Sequence, residues 1–196
     1  MRNSFSKTLA RGASLLAALF FLQACENPNQ GLFDPRLVTD TVEVAPPLGE
    51  ESPLPTALNI TATPAGVVGG VFPEIPDTQW DLLIRQETET GLVFVPPGAV
   101  GFDSRAGISE PVTTQAFDQI DEVPSGTEFI TDRSVAVQTV HPYLVRSRGA
   151  AQGGTSGCSQ FAKMLVLSVA ADSTPPVLTL EITTNGQCGD QRLAEE

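Results

Sequence analysis

The chain has 196 residues, 23 acidic against 11 basic, and a formal net charge of −12 at pH 7. So acidic a chain repels phosphate backbones and anionic headgroups, which argues against a nucleic-acid partner. One histidine and three cysteines leave little material for a metal cluster, and any histidine-dependent triad would have to use that one imidazole.

The first 24 residues read as a secretory leader. Arg2, Lys7 and Arg11 precede the uninterrupted apolar run Leu15–Leu22. A helix needs about 20 apolar residues to cross a bilayer, so this run has instead the length and flanks of a signal peptide. It ends in Leu22-Gln23-Ala24-Cys25, which resembles the lipobox of bacterial lipoproteins. That resemblance implies cleavage before Cys25, a diacylglyceryl thioether on its sulfur, and acylation of the new amine, palmitate being the usual chain. Several acyl chains anchor stably where one would be marginal, at about 0.8 kcal/mol per buried CH₂. The alternative is an ordinary leader followed by an unlipidated cysteine. Glu26 stands where an Asp would retain a lipoprotein at the inner membrane in some bacteria. The expected location is therefore the bacterial cell envelope, held by lipid on Cys25, with the outer membrane favoured. The leader carries three basic residues and no acidic ones, so its removal takes the net charge from −12 to −15.

Three cysteines in an exported chain leave one over. If Cys25 carries lipid, Cys158 and Cys188 remain as the natural disulfide pair in an oxidising compartment. Two free thiols or a metal site are the alternatives.

Residues 25–56 read as a lipidated, acidic and proline-rich tether. Glu26, Asp34, Asp40, Glu43, Glu50 and Glu51 face Arg36 alone, and Pro46, Pro47, Pro53 and Pro55 punctuate its end. Like charges and prolines favour an extended, semi-rigid spacer. Within it "LVTDTVEV" alternates apolar and polar residues as a strand would.

Residues 57–192 form a β-domain in this reading, with 193–196 as a tail. "ALNITAT" (57–63) and "GVVGGVF" (66–72) suggest a hairpin around Pro64. "WDLLIR" (80–85) and "GLVFV" (91–95) suggest a second. "EFIT" (128–131), "SVAVQTV" (134–140) and "PYLVRSR" (142–148) carry strand-like alternation, the last with Tyr143, Val145 and Ser147 on one face and Leu144, Arg146 and Arg148 on the other. "FAKMLVLSV" (161–169) and "PVLTLEITT" (176–184) are the firmest strands. Only "TTQAFDQID" (113–121) suggests a short helix. Many short strands between Gly and Pro turns point to an all-β fold, an antiparallel sandwich or barrel-like sheet.

Catalytic signals are sparse. "GGTSGC" (153–158) does not place its serine in a G-x-S-x-G elbow. Asp118, Asp121 and Glu122 would share a helix face; a solvated acidic face explains them as well as paired-carboxylate chemistry does. Trp80 reads as a core or sheet-edge aromatic. Arg146 and Arg148 project together from one strand, either toward an anion or toward the many acids.

The order "WDLLIRQ" (80–86), "FDQI" (117–120), "YLVRSRG" (143–149) and "FAKMLVLSV" (161–169) is similar to that of the HmuY-like lipoproteins and of a broader set of all-β surface lipoproteins. The resemblance covers about 110 residues from Trp80 onward. It implies an all-β fold and, in the best-known members, haem capture at the cell surface. Haem takes axial ligands such as His and Met. His141 is the sole imidazole and the candidate haem ligand, and Met164 is the one thioether beyond the leader. The expected function is a non-enzymatic, membrane-anchored binding domain with an envelope protein as partner and no resident cofactor. The alternative is a haem- or small-ligand-binding lipoprotein.

Overall fold

Alternation along two long strands organises the domain. In the computed structural model, which describes residues 37–47, 54–61, 66–68, 79–149 and 157–195, ten strands follow in chain order. They are β1 (Leu37–Val44), β2 (Ala57–Asn59), β3 (Gly66–Val68), β4 (Leu82–Glu87), β5 (Gly91–Val95), β6 (Gly107–Ile108), β7 (Val135–Ala136), β8 (Tyr143–Arg146), β9 (Phe161–Ala170) and β10 (Val177–Asn185). The leader, Cys25, the turn at Pro64 and residues 150–156 lie outside the described residues.

The strands make two antiparallel sheets. One runs β1-β10-β9-β8-β6 and the other β3-β2-β4-β5-β7. Leu178, Leu180 and Ile182 of β10, Ala162, Met164 and Val166 of β9, and Tyr143 and Val145 of β8 share a core with Leu58, Ile60, Leu82, Ile84 and Phe94 from the other sheet. All are fully buried. Successive side chains of a strand point to opposite faces, so every second residue of β8, β9 and β10 enters this layer. Each fully buried Leu, Ile or Phe contributes roughly 1.5–3 kcal/mol relative to exposure. The architecture is thus an all-β, sandwich-like pair of sheets.

Both outer faces carry a smaller apolar cover. Trp80, Leu83, Val93 and Val95 lie beneath Ala99, Val100 and Phe102, which the 3-10 turn Pro97–Val100 brings over the second sheet. On the first sheet, Leu144 and Phe161 pack with Ile120, Val123 and Leu193. Gly107 lets β6 fit under the crossing chain, because a Cβ there would stand 2.8 Å from the Ile130 carbonyl oxygen, closer than carbon and oxygen tolerate.

Three expectations are revised. Leu37–Val44 is not spacer: it pairs residue by residue with β10 from Leu37↔Asn185 to Val44↔Leu178. Net charge and prolines pointed to a tether, but alternation prevails. Val42 packs on the core and Val44 is part of it, while Thr39, Thr41 and Glu43 face solvent. The β-domain therefore begins at Leu37 rather than at residue 57. It also reaches past 192, because Leu193 is buried.

Second, "EFIT" and "SVAVQTV" yield only β7 and one isolated bridge, Ile108↔Ile130. The Tyr143 hydroxyl caps the side of β7 turned away from β5. It donates to the Ala136 carbonyl and accepts the Gln138 N–H, both at 2.7 Å, taking places a neighbouring strand would fill.

Third, "TTQAFDQID" contains only the 3-10 turn Phe117–Gln119. The Ile120 carbonyl goes to a lysine and the Asp121 carbonyl to the amides of Leu193 and Ala194, so no helix continues.

Tyr143 gives a clean spectroscopic test, because it is the chain's single tyrosine. Burial pushes its pKa up from 10.0 to about 12. A raised tyrosine pKa gives stability that is whole below the unfolded value and lost as pH rises through the folded one. Tyrosinate absorbance should therefore rise with a midpoint near 12, with stability falling between about pH 10 and 12. In denaturant the midpoint should return to about 10. A native midpoint near 10 would contradict the buried hydroxyl.

Candidate functional site

The outer face of the β9 sheet holds most of the polar chemistry. Lys163 stands there because Met164, its neighbour in β9, takes the core side. It is only 6% exposed. Its Nζ donates to the Ile120 carbonyl at 3.0 Å and lies 4.9 Å from the centroid of the Phe117 ring. Burial pushes its pKa down; the charges of Asp121, Asp118 and Glu181 pull it back up. The lysine thus holds the 117–120 turn onto the sheet, and the carboxylates around it are its counter-charges. Sequence reading took "FAKML" only as a strand and missed this role. The signal was a lysine inside an otherwise apolar run.

Beside this turn, residues 191–194 pack along 121–123 like a short added strand. The Val123 N–H donates to the Gln191 carbonyl (2.9 Å), and the Leu193 and Ala194 amides to the Asp121 carbonyl (2.6 and 3.1 Å). An open cleft of about 610 Å³ is lined by Gln119, Asp121, Glu122, Arg192 and Glu195, among others. Asp118, Asp121 and Glu122 are all exposed. They form a solvated acidic shelf, and among the described residues no partnered nucleophile or enclosing wall adjoins it.

Arg192 grips Asp190 through Nε at 3.1 Å to both carboxylate oxygens and Nη2 at 2.6 Å to Oδ2. The guanidinium holds the Asp190 carboxyl well below the usual range. A depressed carboxyl pKa contributes stability that is present above the unfolded value, about 3.9, and lost as pH falls toward the folded one. The Arg192 side chain is 43% exposed, so solvent screening reduces the effect to about 1 kcal/mol or less. Asp190→Asn should melt a few degrees lower than wild type at pH 7. That difference should shrink steadily below about pH 4; a constant difference would refute the assignment.

A second cleft, of about 360 Å³, has Ser109, Val112, Ile130 and Leu144 in its wall, with Glu110 and Arg133 at its lip. The latter two pair at 3.0 Å with both side chains largely exposed.

The remaining sequence candidates separate. His141 is half-buried just before β8, and Met164 is fully buried between the sheets. Packed on all sides by the core, Met164 offers no axial position to a haem iron. Neither residue lines the clefts described above. Arg146 and Arg148 do not project together, because β8 ends at Arg146. The Nε of Arg146 donates to the Arg105 carbonyl at 2.9 Å, and its guanidinium lies 5.0 Å from the Phe129 ring centroid. Arg148 turns instead toward Asp81, with Nη1 and Oδ1 3.0 Å apart.

Asp81 is fully buried and joins distant segments. One carboxylate oxygen accepts the Ile60 N–H at 2.6 Å, the other the Arg148 N–H at 2.7 Å. Burial raises its pKa, and the Arg148 charge and the two amides pull it back down. Sequence reading passed over it as the neighbour of Trp80. Trp80 itself is buried with its ring edge-on to Phe102, centroids 6.3 Å apart.

Cys158 and Cys188 form a disulfide, with Cα atoms 5.6 Å apart, inside the range a disulfide spans without backbone distortion. It ties the start of β9 to the segment after β10, its antiparallel neighbour. Among the described residues, no three His, Cys, Asp or Glu side chains converge as metal ligands. No family model, curated protein or solved structure matches the chain.

Proposed function

We propose that the chain is a lipid-anchored bacterial envelope protein whose β-domain is a non-enzymatic binding module. The observation that carries the anchor is Leu22-Gln23-Ala24-Cys25 at the end of a short apolar run behind a basic start. The disulfide supports export, because such bonds persist in oxidising compartments. The binding role is supported by the site chemistry: exposed carboxylates on a shelf, two open clefts, and buried charges already committed to structural partners. The partner class that fits is another envelope protein.

The test is expression of the full chain in a bacterium fed a palmitate analogue. Wild type should incorporate label and sediment with membranes. Cys25→Ser should lose the label and be released. Label persisting in Cys25→Ser, or no label in wild type, would overturn the anchor.

A further inference from the structure

We propose that the open edge of β1 docks an extended segment bearing lysine or arginine at alternate positions, so that the partner joins the sheet as an added strand. This rests on the binding-module reading above. β1 ends its sheet. All eight of its residues pair with β10 on one side, and among the described residues no strand pairs with the other. Among the described residues this other side stays open as far as Glu43; the next amide of the same direction, the Ala45 N–H, donates to the Pro55 carbonyl at 2.9 Å.

The hydrogen-bond directions are visible. The Thr41 N–H goes to the carboxylate of Asp40 at 2.8 Å, so this amide faces away from β10. In an antiparallel ladder a residue's N–H and C=O point to the same side, and the side alternates along the strand. Thr39 and Glu43 therefore share the direction of Thr41. The Val38 carbonyl accepts from Thr184 Oγ1 of β10 at 3.5 Å, which puts Val38 on the opposite side, as alternation requires. The open edge thus presents main-chain groups of Thr39, Thr41 and Glu43.

Charge selects the occupant. Asp40 and Glu43 lie on β1, and Glu181 stands opposite Thr41 on β10. Neither strand contains a basic residue. Natural edges are often guarded by charge, lysine above all. An acidic guard repels acidic strands, a second copy of β1 included, and accepts basic ones. Asp40 occupies the Thr41 amide as an incoming carbonyl would. Once Asp40 is displaced, Glu43 and Glu181, which share the solvent-facing side with Thr41, are the counter-charges for cations at alternate positions. Main-chain bonds then supply affinity and the side chains supply selectivity, as in other strand additions.

The experiment uses the full lipidated chain in detergent micelles. The probe is an eight-residue peptide alternating lysine and valine, with a glutamate–valine peptide as comparison. The lysine peptide should saturate and slow amide exchange across residues 37–44, and the glutamate peptide should do neither. Glu43→Gln/Glu181→Gln should weaken binding by about tenfold, as expected for two partly screened charges on the solvent-facing side. Thr41→Pro removes a donor from the open side without taking a ladder bond. It should abolish binding while the circular dichroism and melting curve stay near wild type. Equal binding of both peptides, protection elsewhere, or no binding because residues 37–44 are already protected by the chain's own preceding segment or a second copy would each overturn the proposal. If Cys25 labelling fails while the lysine peptide still protects β1, the anchor falls and the edge stands. If labelling succeeds and the peptide leaves β1 unprotected, the edge falls and the anchor stands.

Discussion

Asp81→Ala is expected to lower the melting temperature by about 10 °C, since removing one partner of a buried charge pair costs about 3–5 kcal/mol and each kcal/mol shifts a domain of this size by about 2–4 °C. The substitution strands three donors at once: the Ile60 amide, the Arg148 amide and the Arg148 guanidinium. Those donors come from the end of β2 and from beyond the end of β8, in different sheets. The loss should therefore be felt between the layers.

Melting followed by circular dichroism, with emission of the single buried Trp80 as a second probe, measures it. Arg148→Ala leaves the Asp81 carboxylate buried without its cation. Adding Asp81→Asn removes that charge, so the double variant should be more stable than the sum of the two single losses. Glu110→Ala is the control, because its pair with Arg133 is largely exposed and should matter by less than about 1 kcal/mol. An Asp81→Ala shift no larger than that of the control would rule out Asp81 as a tie between the sheets.

Removing the disulfide, by reduction or as Cys158→Ser/Cys188→Ser, should cost about 3–4 kcal/mol from loop-closure entropy across a separation of 30 residues. The melting temperature should fall by about 6–16 °C at 2–4 °C per kcal/mol. Chemical reduction and the double variant should agree, because both release the same loop. The local consequence should be larger after Cys188 than before β9. There the segment 190–194 is held to 121–123 by a few backbone bonds and by Leu193. Amide exchange at Val123, Leu193 and Ala194 should accelerate before the β9–β10 ladder opens. Unchanged melting after full reduction would show that the sheet alone fixes this end of the domain.

The long strands were legible because their side chains alternate over most of their length. Leu178, Leu180 and Ile182 alternate with Thr179 and Glu181 as buried and less buried positions, before Thr183, Thr184 and Asn185 are all buried at the strand's end. The short strands were less legible. β6 and β7 have two residues each, too few for any periodicity, and exist because a neighbour or the Tyr143 hydroxyl completes their hydrogen bonding. β1 was written into the chain as alternation, but charge and prolines around it argued for a spacer. Pairing with β10 decided the matter.

The polar residues divide in the same way. Asp118, Asp121 and Glu122 could be read as a solvated acidic face, and that is how they sit. Lys163 stands out as a lysine in an apolar run, but neither it nor Asp81 reveals its partner locally. Their partners are a carbonyl 43 residues away and amides 21 and 67 residues away.

By itself the sequence determined the all-β class, the strand faces, the natural cysteine pair and the acidic surface, since each follows from local alternation, composition or counting. Only the tertiary structure decided that Leu37–Val44 is an edge strand, that Arg146 and Arg148 part company, and that Asp81 and Lys163 are struts. Those outcomes depend on which segments meet across the fold, where removing a charge from water makes a precise distant partner obligatory.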